Sequence, residues 1–196
     1  MKRIMDVTIA GIALILLSPV WIAAIFLILA GDPGPVLYRQ KRVGKNEKLF
    51  SLYKFRTMFQ APPEQTPGSV TVRNDPRVFR GGHFLRKFKI DELPQLLNVL
   101  EGSMSLVGPR PTVYEDYEKM NSEQRRRFEV RPGITGLAQI SGNTALPWQK
   151  RIQHDLKYIE NQSVWLDIRI LFHTVYLVLT GKAETHPPGD DEWEDQ

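Results

Sequence analysis

The chain contains no cysteine, which excludes a disulfide framework, a thiolate metal site and a thiol nucleophile together. That is compatible with a cytosol-facing protein. No Gly-rich motif closes on Lys-Ser or Lys-Thr, so a P-loop cradling nucleotide phosphates is excluded as well. There is no internal repeat. Between Val7 and Ala30 the sequence VTIAGIALILLSPVWIAAIFLILA lacks any charge. A lipid phosphotransferase that works through aspartates on membrane helices would need acids inside that run, and none is there. What is present is an ordinary globular composition, 42% hydrophobic and 24% charged over 196 residues, with a net charge of +4. The length suits one domain plus an attachment element. The mild positive balance suits nucleic acid, anionic lipid or phosphorylated substrates about equally.

The uncharged run is long enough to cross a hydrocarbon core as a helix. It is too long for the apolar part of a signal peptide, and no small-x-small cleavage site follows it. Two features count against a simple span. Ser18-Pro19 falls at its middle, where proline removes an amide donor and clashes with the preceding turn. A serine hydroxyl beside the break can satisfy a carbonyl that the proline frees. Both flanks are basic, with Lys2 and Arg3 before and Arg39, Lys41, Arg42, Lys45 and Lys48 after. Positive flanks favour one side of the membrane, so a helix-break-helix that enters and leaves by the same face is preferred. Each arm of about 11 residues would be about 17 Å long and reach roughly half-way through the core.

Beyond it, GDPGPV (Gly31 to Val36) reads as a turn-rich exit. Alternation in VLYRQKRVGKNEKLFSLYKFRTM predicts two strands joined at Gly44-Lys45-Asn46. QAPPEQTPGS, Gln60 to Ser69, reads as a loop. TVYEDYEKMNSEQRRRFEV is a helical unit, and RPGITGLAQISG has strand character. Trp148 to Leu179 reads as two helices broken near Asn161. The second carries Asp167, Arg169 and His173 within an apolar pattern, which suits an interfacial or domain-packed helix rather than a span. The tail PPGDDEWEDQ is acidic and rich in Pro and Gly, a composition that predicts disorder.

In FLRKFKIDELPQLLNVL, Phe84 to Leu100, two acids lie between a cationic run and an apolar helix. With Asp91 at the helix start, Pro94 falls in the first turn, where its missing amide breaks no intrahelical bond. Leu93, Leu96, Leu97 and Leu100 then form a core face. Neighbouring α-helical positions point about 100° apart, so Asp91 and Glu92 suit two different tasks. The helix N-terminus and the nearby cations favour ionised carboxylates. An ionised Asp is a competent nucleophile toward phosphorus, an adjacent Glu can ligate Mg²⁺, and Arg86 and Arg110 can clamp phosphate oxygens. Spacing alone leaves the alternative of helix capping with surface charge pairs open.

The ordered blocks YRQKRVGKNEKLFSLYKFRTM, DPRV, FLRKFKIDELPQLLNVLEGSMSLVGPRP, RPGITGLAQISG and HDLKYIENQS, with KRIMDV and LLSPV before them, resemble the small monotopic phosphoglycosyl transferases. These are bacterial sugar transferases that start glycan assembly on polyprenol phosphate. The resemblance implies an α/β, mostly helical fold: a re-entrant hairpin over 1–33, a compact catalytic domain with interfacial amphipathic helices over 34–183, and a disordered acidic tail over 184–196. It implies a ping-pong reaction at the cytoplasmic face of the bacterial inner membrane. Asp91 would take sugar phosphate from a UDP-sugar, releasing UMP, and polyprenol phosphate (undecaprenyl phosphate) would then collect it. Glu92 would hold Mg²⁺, with Arg86, Arg110, Lys54, Arg56 and Arg77 on the substrate and Ser18-Pro19 at the helix break. The implied partners are the UDP-sugar, polyprenol phosphate and membrane lipid, without nucleic acid; a homodimer is one arrangement left open. One departure concerns the sugar: family members commonly read N-G-R-N after the GITG block, whereas this chain has Ser141-Gly142-Asn143-Thr144, with Asn143 at the arginine's place. The competing reading is a non-catalytic membrane-surface module whose basic patches bind anionic lipid or nucleic acid; such a module would tolerate Asp91→Asn.

Overall fold

A computed structural model describes residues 1–60 and 75–182. The expected Pro-rich loop, beyond Gln60, and the expected acidic tail lie outside these residues. The chain opens with α1 (Lys2–Leu16) and α2 (Ser18–Gly31), separated by Leu17 and bent by 61°. Among the described residues no single helix is long and apolar enough to cross a membrane; this bent pair passes only when taken together. Pro19 sits in the first turn of α2, where it forfeits no hydrogen bond. The Ser18 hydroxyl donates to the Ile15 carbonyl at 2.8 Å, as expected of a serine beside a break. The arms hold 15 and 14 residues, about 22 and 21 Å. Both exceed the expected length, α1 because the charged segment Lys2 to Asp6 is itself helical and α2 because it runs on to Gly31.

That charged segment is not a free basic flank. Lys2 Nζ lies 2.7 Å from Asp167 Oδ2 and donates to the Val107 carbonyl at 3.1 Å. Arg3 donates to the carbonyls of Val99 and Leu100. Asp6, fully buried, accepts from Ser105 Oγ at 2.8 Å. At the other end of the pair, Asp32 is held by the Arg56 guanidinium. Both ends of the bent pair are thus fastened to the same body. Between them Ile12, Ile15, Leu16, Ile22 and Phe26 are exposed, an apolar surface that a soluble domain would bury.

The predicted hairpin forms as β1 (Leu37–Val43) and β2 (Leu49–Phe55), antiparallel from Leu37 opposite Phe55 to Val43 opposite Leu49. Then come α3 (Arg80–Lys87), a 3₁₀ turn at Ile90–Glu92, α4 (Gln95–Glu101) and β3 (Ser105–Val107). Gly82 lets α3 press on the end of the hairpin: a Cβ there would sit 2.3 Å from the Thr57 carbonyl oxygen. Gly102, at φ 94°, ends α4 in the left-handed conformation that glycine adopts without strain. The Tyr114-to-Val130 unit is two short helices, α5 (Tyr114–Glu118) and α6 (Ser122–Arg125), followed by a 3₁₀ turn; Asn121 and Gln124 form a capping box.

RPGITGLAQISG is only partly a strand. Gly133–Thr135 is β4, which pairs in parallel with β3, and α7 (Leu137–Ile140) follows at once. The last two helices break near Asn161 as expected, giving α8 (Trp148–Glu160) and α9 (Val164–Leu179). The result is a mostly helical body with two small two-stranded sheets. Its main core joins Ala10 of α1 to Leu52, Leu96, Val99, Met104, Val107, Tyr158 and Ile170, and a second joins Ala24 and Ile28 of α2 to Phe55, Phe79 and Leu85. Asp167 turns α9 inward, while Trp165, Phe172, Val175, Tyr176 and Leu179 remain exposed.

The helix after the acid pair is phased differently from the expectation. Because the acids occupy a 3₁₀ turn, the α-helix begins only at Gln95, and its buried face runs through Leu96 and Val99 with Leu93 alongside, leaving Leu100 exposed.

Candidate active site

Lys89 enters the acid turn at φ 55°, ψ 20°, a left-handed conformation uncommon for a residue with a long side chain. It reverses the chain after α3: its amide donates to the Arg86 carbonyl, and its own carbonyl accepts from the Glu92 amide. Asp91 and Glu92 then sit one residue apart on a 3₁₀ turn, about 120° apart rather than 100°. They do diverge, as expected, but both are buried at 7% exposure.

Asn98 registers this turn against β2. Its Oδ1 accepts from the Tyr53 amide at 3.0 Å and its Nδ2 donates to the Ser51 carbonyl at 2.8 Å. A side-chain amide thus completes the hydrogen bonding of β2 on the edge facing α4, next to Lys54.

The outcome is a clamp on Glu92. Lys54 Nζ lies 3.0 Å and Arg110 Nη2 2.8 Å from the same oxygen, Oε1, while Oε2 has only Arg110 Nη1 at 3.5 Å. Burial alone would raise the Glu92 pKa, but Arg110, Lys54 and Lys89 together hold it well below the ordinary carboxylate range. Asp91 goes the other way. Its Oδ1 is buried with no hydrogen-bond partner among the described residues. Desolvation raises its pKa, against the pull of Lys54, Lys89 and Arg86 and with the push of Glu92. The nearby cations favour ionised carboxylates, as expected, but at Asp91 burial pushes the pKa the other way. Adjacent acids with pKa values driven apart are the arrangement in which two carboxyl groups take separate roles.

The other expected cations are distributed unevenly. Arg86 Nε donates to Thr57 Oγ1 at 2.8 Å, and its charge is felt at Asp91. Arg56 is buried and engaged with the Asp32 carboxylate and the carbonyls of Asp32 and Pro35, so the structure gives it a scaffold task at the foot of α2 rather than a place at the clamp. Arg77 wraps Asp75, with Nη2 at 2.7 Å from Oδ2, and lowers that acid's pKa to about 2. Lys54, Arg110 and the acid pair are brought together.

Sequence reasoning missed Arg127. Its Nη1 donates to Thr112 Oγ1 at 2.7 Å and its Nη2 to the Arg110 carbonyl at 3.0 Å, so it underpins the Gly-Pro-Arg-Pro turn from below. The same guanidinium pairs with buried Asp155 at 2.6 Å and lies over the Trp148 ring. Burial drives the Asp155 pKa up to about 6 despite this partner. In RRR, Arg125 to Arg127, nothing in the local pattern separates the buried arginine from its exposed neighbours. Asn98 did carry a signal, as a polar residue on the apolar side of a short helix.

The fold thus joins a docked apolar helix pair to an enclosed site in which two adjacent acids, their pKa values pushed apart, meet a cationic clamp. Comparison with known proteins makes this specific: residues 1–181 match the family model described as bacterial sugar transferase, and the chain belongs to that family. It is 44% identical over 194 residues to the galactosyl transferase CpsE of Streptococcus agalactiae serotype III, covering 92% of this chain and 42% of that protein. It is 41% identical over 191 residues to the UDP-glucose:undecaprenyl-phosphate glucose-1-phosphate transferase of Escherichia coli K12, with coverage of 93% and 41%. The chain thus spans about two fifths of the length of those two relatives. Against the sugar transferase EpsL of Bacillus subtilis, 41% identical over 183 residues, it covers 89% of the relative.

Proposed function

We propose that the protein transfers a sugar 1-phosphate from a UDP-sugar to polyprenol phosphate, giving a polyprenyl diphosphate sugar and UMP. The observation that carries this reading is the divided acid pair, Asp91 desolvated and Glu92 clamped, in a chain of the sugar transferase family. An Asp91 oxygen attacks the β-phosphorus, the bond from that phosphorus to the bridging oxygen breaks, and UMP leaves with the electron pair. An oxygen of polyprenol phosphate then attacks the same phosphorus and expels the Asp91 carboxylate, which is regenerated. Burial that keeps the Asp91 pKa up also keeps its carboxylate poorly solvated and basic, which favours attack once it is ionised.

Lys54 and Arg110, which meet at Glu92, would take phosphate oxygens, with the charge of Arg86 felt at the nucleophile. Glu92, whose Oε2 is the less engaged oxygen, would hold Mg²⁺. Among the described residues no three or more acids, histidines or cysteines are grouped so as to hold a metal ion by themselves. Magnesium does not need such a group, since it is usually held by one or two carboxylates with substrate phosphates and water. When bound, the ion supplies charge neutralisation to the diphosphate.

The bent helix pair is proposed to re-enter the cytoplasmic leaflet of the inner membrane, because Lys2 and Asp32, near its two ends, are tied to one body. Cysteines placed at residues 1 and 34 should be labelled from the cytoplasmic side alone; labelling of either from outside would contradict re-entry. The names of the relatives include galactosyl and glucose transferases, so they do not fix the sugar. Asn143 is buried at φ 50°, a left-handed position that asparagine tolerates. The test of the reaction is UMP release from a panel of UDP-sugars with Mg²⁺ and polyprenol phosphate. Release with at least one sugar is expected, and silence across the panel would refute the reading.

A further inference from the structure

Strand β1 alternates its faces, so Gln40 and Arg42 point to one side and Arg39 and Lys41 to the other. Arg42 is held in an unusual way for a half-buried cation. Its Nη2 donates to Gln40 Oε1 at 2.7 Å, its Nη1 is 3.5 Å from the Pro111 carbonyl, and its Nε is buried with no partner among the described residues. It forms no ion pair with any described carboxylate; Asp116 and Glu92 act on it only from a distance. Burial and the neighbouring Arg110 lower its pKa to about 10.

Arg127 shows what a scaffold arginine looks like in the same protein: its Nε is likewise buried without a partner among the described residues, but its Nη2 meets a buried carboxylate at 2.6 Å and the Arg110 carbonyl at 3.0 Å, and its Nη1 donates to Thr112 Oγ1 at 2.7 Å. Arg42 has only neutral oxygens and faces a second guanidinium. The one clamped carboxylate nearby, Glu92, is already shared by Arg110 and Lys54. Lys54 and Arg110 hold this firmly ionised acid between them, and Arg42, whose printed partners are the neutral oxygens of Gln40 and Pro111, is left without a carboxylate of its own among the described residues. A buried cation without a counter-ion costs stability, and groups that break the packing rules in this way belong to binding sites more than to scaffolds.

We infer that Arg42, oriented by Gln40, is a seat for a phosphate group, extending the clamp of Lys54 and Arg110 along β1. A guanidinium fork suits phosphate oxygens, and the excess positive charge matches an anion with more than one negative charge. The phosphate can come from the nucleotide, as that of UMP, or from the lipid acceptor. The assignment rests on the transferase reading for the choice of these two ligands.

The test uses the full chain in lipid nanodiscs, with Arg42→Gln, Arg42→Lys and, as a charge control on the opposite face of β1, Lys41→Gln. Melting temperature is recorded without ligand, and affinity is measured for UMP and separately for a short-chain polyprenyl phosphate. Without ligand, Arg42→Gln should melt no lower than wild type, because it removes a cation from beside Arg110. Its affinity for one of the two ligands should fall about tenfold, as expected for the loss of a charge-assisted hydrogen bond. Arg42→Lys should retain part of that affinity, and Lys41→Gln all of it. Loss confined to UMP places the seat on the nucleotide side; loss confined to the lipid places it on the acceptor side. Either outcome supports the seat. Affinities of both Arg42 variants within twofold of wild type, or an equal loss in Lys41→Gln, would overturn it. UMP release separates the two claims: a wild-type chain inactive on every UDP-sugar but binding UMP through Arg42 sinks the transferase reading and keeps the seat. Unchanged affinity and turnover in Arg42→Gln sinks the seat and keeps the reading.

Discussion

Under the foot of α1, charge is closed on itself, whereas at the acid pair it is left open. Lys2 meets Asp167 at 2.7 Å, Asp167 also accepts from the Tyr158 hydroxyl at 2.7 Å, and Asp6 is satisfied by Ser105 and the Leu106 amide. Every one of those acids has a donor on it. At the acid pair, Asp91 Oδ1 and Arg42 Nε are buried without a partner among the described residues, and Glu92 is shared by two cations. Both places are polar and enclosed, so burial does not distinguish them. Saturation does: a saturated network fixes how elements dock, and an unsaturated one has valences left for a ligand.

Breaking a buried ion pair of the scaffold, away from both places, should cost the most in stability. Arg127→Ala leaves Asp155 buried without its counter-ion and frees the turn that carries Arg110. Unfolding free energy in denaturant should drop by about 3–5 kcal/mol, the range for breaking a buried pair. At the open site the large effect is on rate. Glu92→Gln removes the carboxylate beneath Lys54 and Arg110, and UMP release should slow by about 10²–10³-fold, as when one electrostatic stabiliser is lost. A chelator should stop the wild type but have little further effect on this variant.

Lys2→Ala breaks a closed network at its rim, since the lysine side chain is 26% exposed. Water can reach the freed acid in part, so the expected loss is smaller, about 1–2 kcal/mol in the same denaturant experiment.

The smallest effect is the most diagnostic in sign. Asp91 has a raised pKa in the folded chain, so its neutral form is favoured there. Stability from this residue is present below its unfolded value of 3.8 and is lost as pH rises through the folded value. Asp155 behaves alike, with its loss complete above about pH 6. Glu92 is opposite: its contribution is present above 4.5 and is lost as pH falls through its depressed folded value. Asp91→Asn should therefore be at least as stable as wild type at pH 7, with a shallower decline of stability above pH 4. Wild-type adduct formation should fall on the acid side at a pH above that of an ordinary aspartate.

What could be read from sequence was local. Proline chemistry at Ser18-Pro19, the Gly44 turn and the two acids before a leucine-rich helix each depend on a few neighbouring residues; the first two are where the pattern put them, and the acids precede the helix on a 3₁₀ turn of their own. Partners far along the chain were not readable. Arg56 meets Asp32 across 24 positions and Lys2 meets Asp167 across 165, so nothing in the sequence around either basic residue showed that it ties the helix pair to the body. The parallel pairing of β3 and β4 rests on three-residue strands, too short to leave a period in the sequence. The protonation of Asp91 depends on how deeply the 3₁₀ turn is packed, which its charged neighbours concealed.

The central claim is that Asp91 is the nucleophile. Wild type and Asp91→Asn should be incubated with Mg²⁺ and a UDP-sugar labelled in the β-phosphate, without polyprenol phosphate, and digested for mass spectrometry. The account predicts a phosphosugar on the Asp91 peptide of the wild type, released by hydroxylamine and discharged by polyprenol phosphate, and none on Asp91→Asn. A wild type that turns over with no adduct at any time, or an Asp91→Asn variant that turns over at the wild-type rate, would contradict it.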